Sequence, residues 1–214
     1  MRNQNDAAES GPPRGGPLRR EPVQRRSAER VERIVDACAA LLDETGYAAL
    51  TTKEVARRAG VPIGTLYQFF SGKDALLGAL ARRNLDRYLD RLARRAEAEA
   101  PKDTAAVVDL AVEEFVAMRR SVPGFAVVDF GAVGLQDAAR LLDAAADDNS
   151  TVAGRLWVLA RDLGGPHVTP LAVRVALEAG EAVLRLAFAA DEDGDPALIA
   201  ECKRLLRAYL GAGT

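Results

Sequence analysis

Histidine occurs once in this chain of 214 residues, as His167, and cysteine twice, as Cys38 and Cys202. A single imidazole leaves no room for a His-based metal or catalytic cluster. The two cysteines lie far apart inside helical patterns, which fits buried thiols in a reducing compartment and not a disulfide framework. Long apolar runs are missing as well. The longest stretch without Asp, Glu, Lys or Arg is Ala59–Gly72, 14 residues, whereas a membrane span needs about 18–20 apolar ones. No apolar run with a cleavage-site pattern follows the N-terminus, so no secretory signal is expected. No phosphate-cradling glycine loop, reactive-cysteine setting or metal-ligand spacing occurs. That argues against an enzyme, and neither a cofactor nor a metal is expected. No stretch shows sustained alternation with β-branched enrichment. What is present, hydrophobic residues at 49%, suffices to bury a core in one or two domains. The expectation is a soluble, cytoplasmic, all-α protein with about nine helices and no membrane association.

Net charge is only −2, yet its distribution is lopsided. Residues 1–95 hold 18 Lys/Arg against 12 Asp/Glu, and residues 96–214 hold 11 against 19. A basic N-terminal part joined to an acidic C-terminal part points to one region that meets a polyanion and another that does not.

Residues 1–24 carry Gly, Pro and Arg with hardly any apolar side chain. They cannot bury enough surface to offset their ordering entropy and read as a disordered tail. Helical periodicity begins with Val31, Ile34, Val35, Cys38, Leu41 and Leu42 on one face. Ser27 is placed to cap that helix and Gly46 to stop it. A long helix is expected from Asp74 to Ala100, where Pro101 forbids continuation. Its apolar stripe includes Leu77, Leu80, Tyr88 and Leu92, and its length is roughly 40 Å at 1.5 Å per residue. Arg83, Arg87, Arg91 and Arg95 recur along it at steps of four and read as a solvated face, as does the pair Glu113–Glu114. Further helical patterns fall at 103–120, 135–146, 149–163, 170–190 and 196–211.

The informative window is Thr51–Leu77, TTKEVARRAGVPIGTLYQFFSGKDALL. Thr51 followed three residues later by Glu54 is a capping box, which starts a short helix. Gly60 ends it, because a tight turn out of a helix usually needs positive φ. Pro62 suits the opening of the next helix, where no amide donor is required. So short a connection is that of a helix-turn-helix. Ala56 is small where two helices would cross, and Val55, Ala59, Val61, Leu66 and Phe69 or Phe70 supply a tripod core. The second helix, Ile63–Phe70, has no charged residue, yet carries Thr65, Tyr67 and Gln68. Hydroxyls and amides suit base edges in a major groove, and Gly64 lets the backbone approach closely. Tyr67 suits a phosphate contact. Lys73, opening the next helix, and Thr51, Thr52 and Lys53, opening the preceding one, are placed to grip phosphates.

The strings G-Y-x-x-L-T, K-E-V-A-x-x-A-G-V, G-T-L-Y-x-F-F and G-K-D-A-L-L run from Gly46 to Leu77. This arrangement resembles the N-terminal DNA-binding domain of TetR/AcrR transcriptional regulators, over about residues 27–77. One departure is Gln68, where that family often has histidine or tyrosine, so base preference stays open. The resemblance implies a homodimer on a double-stranded DNA operator of two-fold symmetry, and a C-terminal domain that binds a small-molecule inducer. The corresponding division is a tail over 1–24, a helix-turn-helix DNA-binding domain over 25–73, and a helical ligand-binding and dimerisation domain over 74–214. The DNA-binding candidates are Thr51, Thr52, Lys53, Ile63, Gly64, Thr65, Tyr67, Gln68 and Lys73.

Signals in the C-terminal half are fewer. The pattern at 170–190 places Val175, Ala176, Ala179, Val183, Leu186 and Ala187 on a wide apolar face. The last helix adds Ile199, Leu205, Leu206, Tyr209 and Leu210. A symmetric partner is the common solution for surplus apolar face, and the resemblance implies a homodimer through the last two helices. Phe115, Met118, Phe125, Phe130, Asn149 and Trp157 are candidates to line a pocket that is apolar with a few polar anchors. The reading is a ligand-responsive repressor. A helical adaptor whose helix-turn-helix binds protein is the alternative.

Overall fold

Apolar residues spaced three and four apart become seven helices in the computed structural model, which describes residues 20–125 and 168–211 together with Gly154, Trp157, Val158 and Arg161. These are α1 (Arg20–Ala49), α2 (Thr52–Ala59), α3 (Ile63–Phe69), α4 (Lys73–Glu99), α5 (Thr104–Ser121), α6 (Pro170–Ala190) and α7 (Pro196–Gly211). The fold is all-α, and no strand occurs among the described residues. The expected helices at 135–146 and 149–163 lie outside the described residues, apart from those four single positions.

The start of α1 corrects one expectation. Ser27 is not a cap, because the helix already begins at Arg20 and takes in the last part of the segment read as a tail. Pro22 in the first turn is compatible with the early start, since a first-turn amide needs no helical partner. At its other end α1 is broken at Gly46, where φ is 74° and ψ 173°. The long helix ends as its sequence dictates: Ala100 turns left-handed at φ 46° directly before Pro101.

Two apolar cores share one helix. The first collects Ile34, Cys38, Leu41 and Leu42 from α1, Val55 and Ala56 from α2, Leu66 and Phe70, and then Leu76, Leu77 and Leu80 from α4. The domain boundary expected after residue 73 therefore falls at the start of a helix whose first turns complete the N-terminal core. The second core takes Leu85, Tyr88 and Leu92 from the same α4, with Val108, Phe115 and Met118 from α5, Ala176 and Leu184 from α6, and Cys202 and Leu206 from α7. Both cysteines are free and buried, and burial pushes each thiol up to about 11.

Three of the four arginines in the polar stripe on α4 are engaged by neighbouring helices, while Arg87 is exposed as expected. Arg83 pairs with Asp36 of α1 at 2.5 Å, and Arg91 pairs with Glu114 of α5, whose side chain is buried. Arg95 reaches Glu113 at 3.0 Å, and Lys203 of α7 reaches the same carboxylate at 2.6 Å. Periodicity marks a polar face, but it does not say whether another polar helix lies on that face.

A glycine joins the two units. After α5 the chain turns at Gly124, φ 74°, whose N–H donates to Asp43 Oδ1 of α1 at 2.9 Å. A Cβ at Gly124 would lie 3.0 Å from the Ala39 Cα and 3.1 Å from Leu80 Cδ2. Phe125, next in sequence, is fully buried and packs edge-on to Phe115, ring centroids 5.3 Å apart.

Candidate nucleic-acid interface

Gly60 sets the turn between α2 and α3. It adopts φ 66° and ψ 35°, and its N–H returns to the carbonyls of Ala56 and Arg57. The Val61 N–H also bonds the Ala56 carbonyl, at 3.0 Å, which closes the helix end. A Cβ there would meet no atom within 4 Å, so the backbone angle alone selects glycine. Pro62 then opens α3, its carbonyl accepting from the Thr65 N–H at 2.9 Å.

The short helix α3 has two unlike sides. Leu66 is fully buried and Phe69 half-buried against the core of the first unit. On the opposite side Ile63 is 42% exposed and Tyr67 53%, with Gly64 and Gln68 exposed beside them. Positions one, four and five apart share one face of a helix. Thr65 sits half-buried at its edge. A glycine within a helix costs about 0.5–1 kcal/mol relative to alanine. Packing among the described residues does not require the glycine, because a Cβ on Gly64 would meet no atom within 4 Å.

The start of α2 lies against this helix. Thr51 caps it, Oγ1 accepting from the Glu54 N–H at 3.2 Å. The expected capping box is only half present: the Glu54 carboxylate accepts from Arg57 Nε at 3.0 Å and does not reach back to Thr51. Arg57 satisfies both oxygens from one turn along the helix, and its guanidinium holds the carboxyl below the ordinary range. The Thr52 and Tyr67 hydroxyls share a hydrogen bond of 3.1 Å, so the start of α2 meets the last turn of α3 directly. Lys53 is exposed next to them. Lys73 opens α4 with its ammonium 3.7 Å from the Tyr47 ring centroid, donating to the Tyr47 carbonyl. Sequence reasoning had no role for Tyr47. Its signal was a tyrosine directly after the glycine that breaks α1, whose ring stands beside the start of α4.

A family model described as "Bacterial regulatory proteins, tetR family" matches residues 34–80. One described as "Tetracyclin repressor-like, C-terminal domain" matches residues 102–213, just over half of the chain. The chain belongs to the TetR family of transcriptional regulators. A solved TetR-family transcriptional regulator from Streptomyces coelicolor is similar along nearly its whole length. The likeness has 40% identity and a TM-score of 0.73, covering 87% of this chain and 98% of that one. Curated relatives match over shorter stretches. The transcriptional repressor KstR of Rhodococcus jostii is 51% identical over 55 residues, 25% of this chain and 26% of that protein. The transcriptional regulator BetI 2 of Chromohalobacter salexigens is 37% identical over 78 residues, 36% of this chain and 35% of that protein. The match thus spans only a quarter to a third of these curated relatives. Among relatives of this kind the adaptor alternative finds no support.

In this TetR-family chain the expected pocket residues are distributed unevenly. Phe115, Met118 and Phe125 all belong to the second core. Trp157 is half-buried, its indole N–H donating to the Val168 carbonyl at 3.0 Å. Phe130 and Asn149 lie outside the described residues. The expected apolar face of the last two helices divides into an inward and an outward part. Ala176 and Ala187 are buried and Ala179, Val183 and Ile199 pack against the core, while Val175, Leu186, Leu205 and Tyr209 stay exposed in the single chain, Leu186 at 60%. The helices cross closely at Gly180, where a Cβ would come within 3.3 Å of Leu206 Cδ1. Among the described residues no helix is long and apolar enough to cross a membrane.

Proposed function

We propose that this TetR-family regulator is a cytoplasmic repressor that binds a two-fold-symmetric DNA operator as a homodimer and leaves it when a small molecule occupies the C-terminal unit. The observation that carries this reading is α3: a helix held by one buried leucine, with an exposed, uncharged face of Ile63, Gly64, Tyr67 and Gln68. Gln68 and Thr65 offer an amide and a hydroxyl to base edges, Ile63 offers apolar contact to a thymine methyl, and Gly64 admits the groove wall. Thr51, Thr52, Lys53, Tyr67 and Lys73 position the helix through phosphates. The exposed apolar side chains of α6 and α7 are the surface for the second subunit. The inducer side is read from Phe115, Met118, Phe125 and Trp157, with Phe130 and Asn149. An inducer shifts the equilibrium only by its differential affinity for the two states, so tight binding alone does not release DNA.

The test is DNA binding as a function of salt, using the region upstream of the gene and random duplex. A specific site binds at least ~10³ times tighter than random DNA, and log affinity falls linearly with log salt. Lys53→Ala weakens binding to every sequence, whereas Gln68→Ala changes the ranking among sequences. Equal affinity for all duplexes refutes the operator.

A further inference from the structure

From Arg25 onward the earliest buried residue of α1 is Ile34, with Ser27 and Val31 half-buried before it, so residues 25–33 add roughly 14 Å of helix ahead of the first core at 1.5 Å per residue. Arg26, Arg30 and Arg33 follow one another on this arm at steps of four and three, which puts them on one face. All three are exposed, and none has an ion pair among the described residues. The neighbouring acids are engaged elsewhere: Glu29 pairs with Arg25 at 3.2 Å, and Glu32 faces Arg83 at 3.6 Å. Several other arginines have a carboxylate partner, among them Arg57, Arg58, Arg83, Arg91, Arg95, Arg204 and Arg207. Like charges at these spacings disfavour the helix by a few tenths of a kcal/mol per pair. Among the described residues no ion pair offsets that cost.

Its position supplies the counter-charge. Arg33 lines a groove with Asp36 and Ala37 of α1 and Arg58 and Ala59 of α2. The next residue of α2's chain is Gly60, the turn into α3. Arg33 therefore lies beside the helix-turn-helix, with Arg30 and Arg26 about one and two turns further out along α1. Guanidinium groups bond phosphate oxygens in pairs and read no base in doing so. We propose that Arg26, Arg30 and Arg33 clamp the phosphate backbone of the duplex that flanks the half-site, as a second grip independent of α3. This rests on the operator reading above. It lengthens the footprint without changing sequence preference.

The test uses the full chain and a duplex selected by the wild type from a randomised pool. The duplex is made in two lengths, one trimmed to the selected bases and one extended by a helical turn on each side. The variants are Arg26→Ala/Arg30→Ala/Arg33→Ala and, as an equal-charge control, Arg87→Ala/Arg94→Ala/Lys102→Ala, all exposed positions. On the long duplex the arm variant lowers the slope of log affinity against log salt by about 2.7 per subunit, at about 0.9 for each lost phosphate contact. On the trimmed duplex it matches the wild type, its ranking of half-sites is unchanged, and the control keeps the wild-type slope on both. The clamp is overturned if the arm variant keeps the wild-type slope on the long duplex, if the control loses as much, or if the lost affinity is instead for anionic vesicles. A wild type that selects no site from the pool overturns the operator reading itself, a result separate from these.

Discussion

Replacing Gly124 with alanine strains the protein in two ways that its structure separates. The backbone there is left-handed, at φ 74°, and a non-glycine residue in that region costs roughly 1–2 kcal/mol. The new methyl would also lie 3.0 Å from the Ala39 Cα, a backbone atom in the middle of α1 that cannot swing away. Overpacking of this kind adds typically 1–3 kcal/mol, so the total is about 2–5 kcal/mol. Gly60→Ala is the control, because Gly60 has φ 66° but open space around its missing Cβ. It loses only the backbone part, about 1–2 kcal/mol. Guanidinium unfolding of both variants, followed by circular dichroism, gives the two losses side by side. Asp43→Ala adds a check, since it strips the acceptor from the Gly124 N–H, and an unsatisfied, partly buried donor costs about 1–3 kcal/mol. Combined with Gly124→Ala it is expected to lose less than the two single losses together, because both act on one contact. Equal losses for Gly60→Ala and Gly124→Ala would refute the packing argument.

Three further outcomes follow from the structure. Leu186→Arg combined with Leu205→Arg puts charge on the exposed apolar faces of α6 and α7, and sedimentation of the variant is expected to give a monomer where the wild type gives a dimer; an unchanged dimer locates the interface elsewhere. Cys38 and Cys202 are buried with raised thiol values of about 11, so a colorimetric thiol reagent at pH 8 labels neither in the native protein within minutes and both after unfolding; immediate native labelling would contradict their burial. Raised values also mean that the unfolded thiols ionise first, near their ordinary 9.0, so stability falls as pH climbs from there towards about 11. Glu113 is held below its ordinary 4.5 by hydrogen bonds from Lys203 and Arg95. Its contribution is therefore present above pH 4.5 and lost as pH falls below it. Glu113→Gln flattens that acid limb in unfolding midpoints measured from pH 3 to 7, and an unaltered limb argues against the network.

Much of the N-terminal unit could be read from the chain because its signals are local. Thr51, Gly60 and Pro62 fix helix ends through their own hydroxyl, φ angle and missing donor, and the structure puts each where those properties demand. Leu66 inward and Tyr67 outward follow from helical spacing alone. The failures involve partners distant in sequence. Nothing near Glu114 reveals that two arginines of α4 cover it, and nothing near Lys73 reveals that Tyr47, in the helix-break segment, receives its ammonium. Ser27 looked like a cap because caps and helix interiors both accept serine; Pro22 is compatible with the earlier start at Arg20, but its role is ambiguous until the helix is seen. In the C-terminal half the apolar stripes were legible, but which part faced inward depended on how α6 and α7 cross, and that turns on the absent side chain of Gly180.

One feature of α4 bears on how a message crosses the molecule. Leu80 belongs to the first core and Leu85 to the second, and the helix runs unbroken between them. Between those two residues α4 has no break, so a tilt of the helix would move both cores together. Over its length of roughly 40 Å a rotation of about 3° moves the far end by some 2 Å, estimated from the rise per residue. That is enough to carry a donor from hydrogen-bond distance out of reach of its acceptor. A stiff beam of this kind turns a sub-ångström adjustment beside the second core into a lost contact at the grooves.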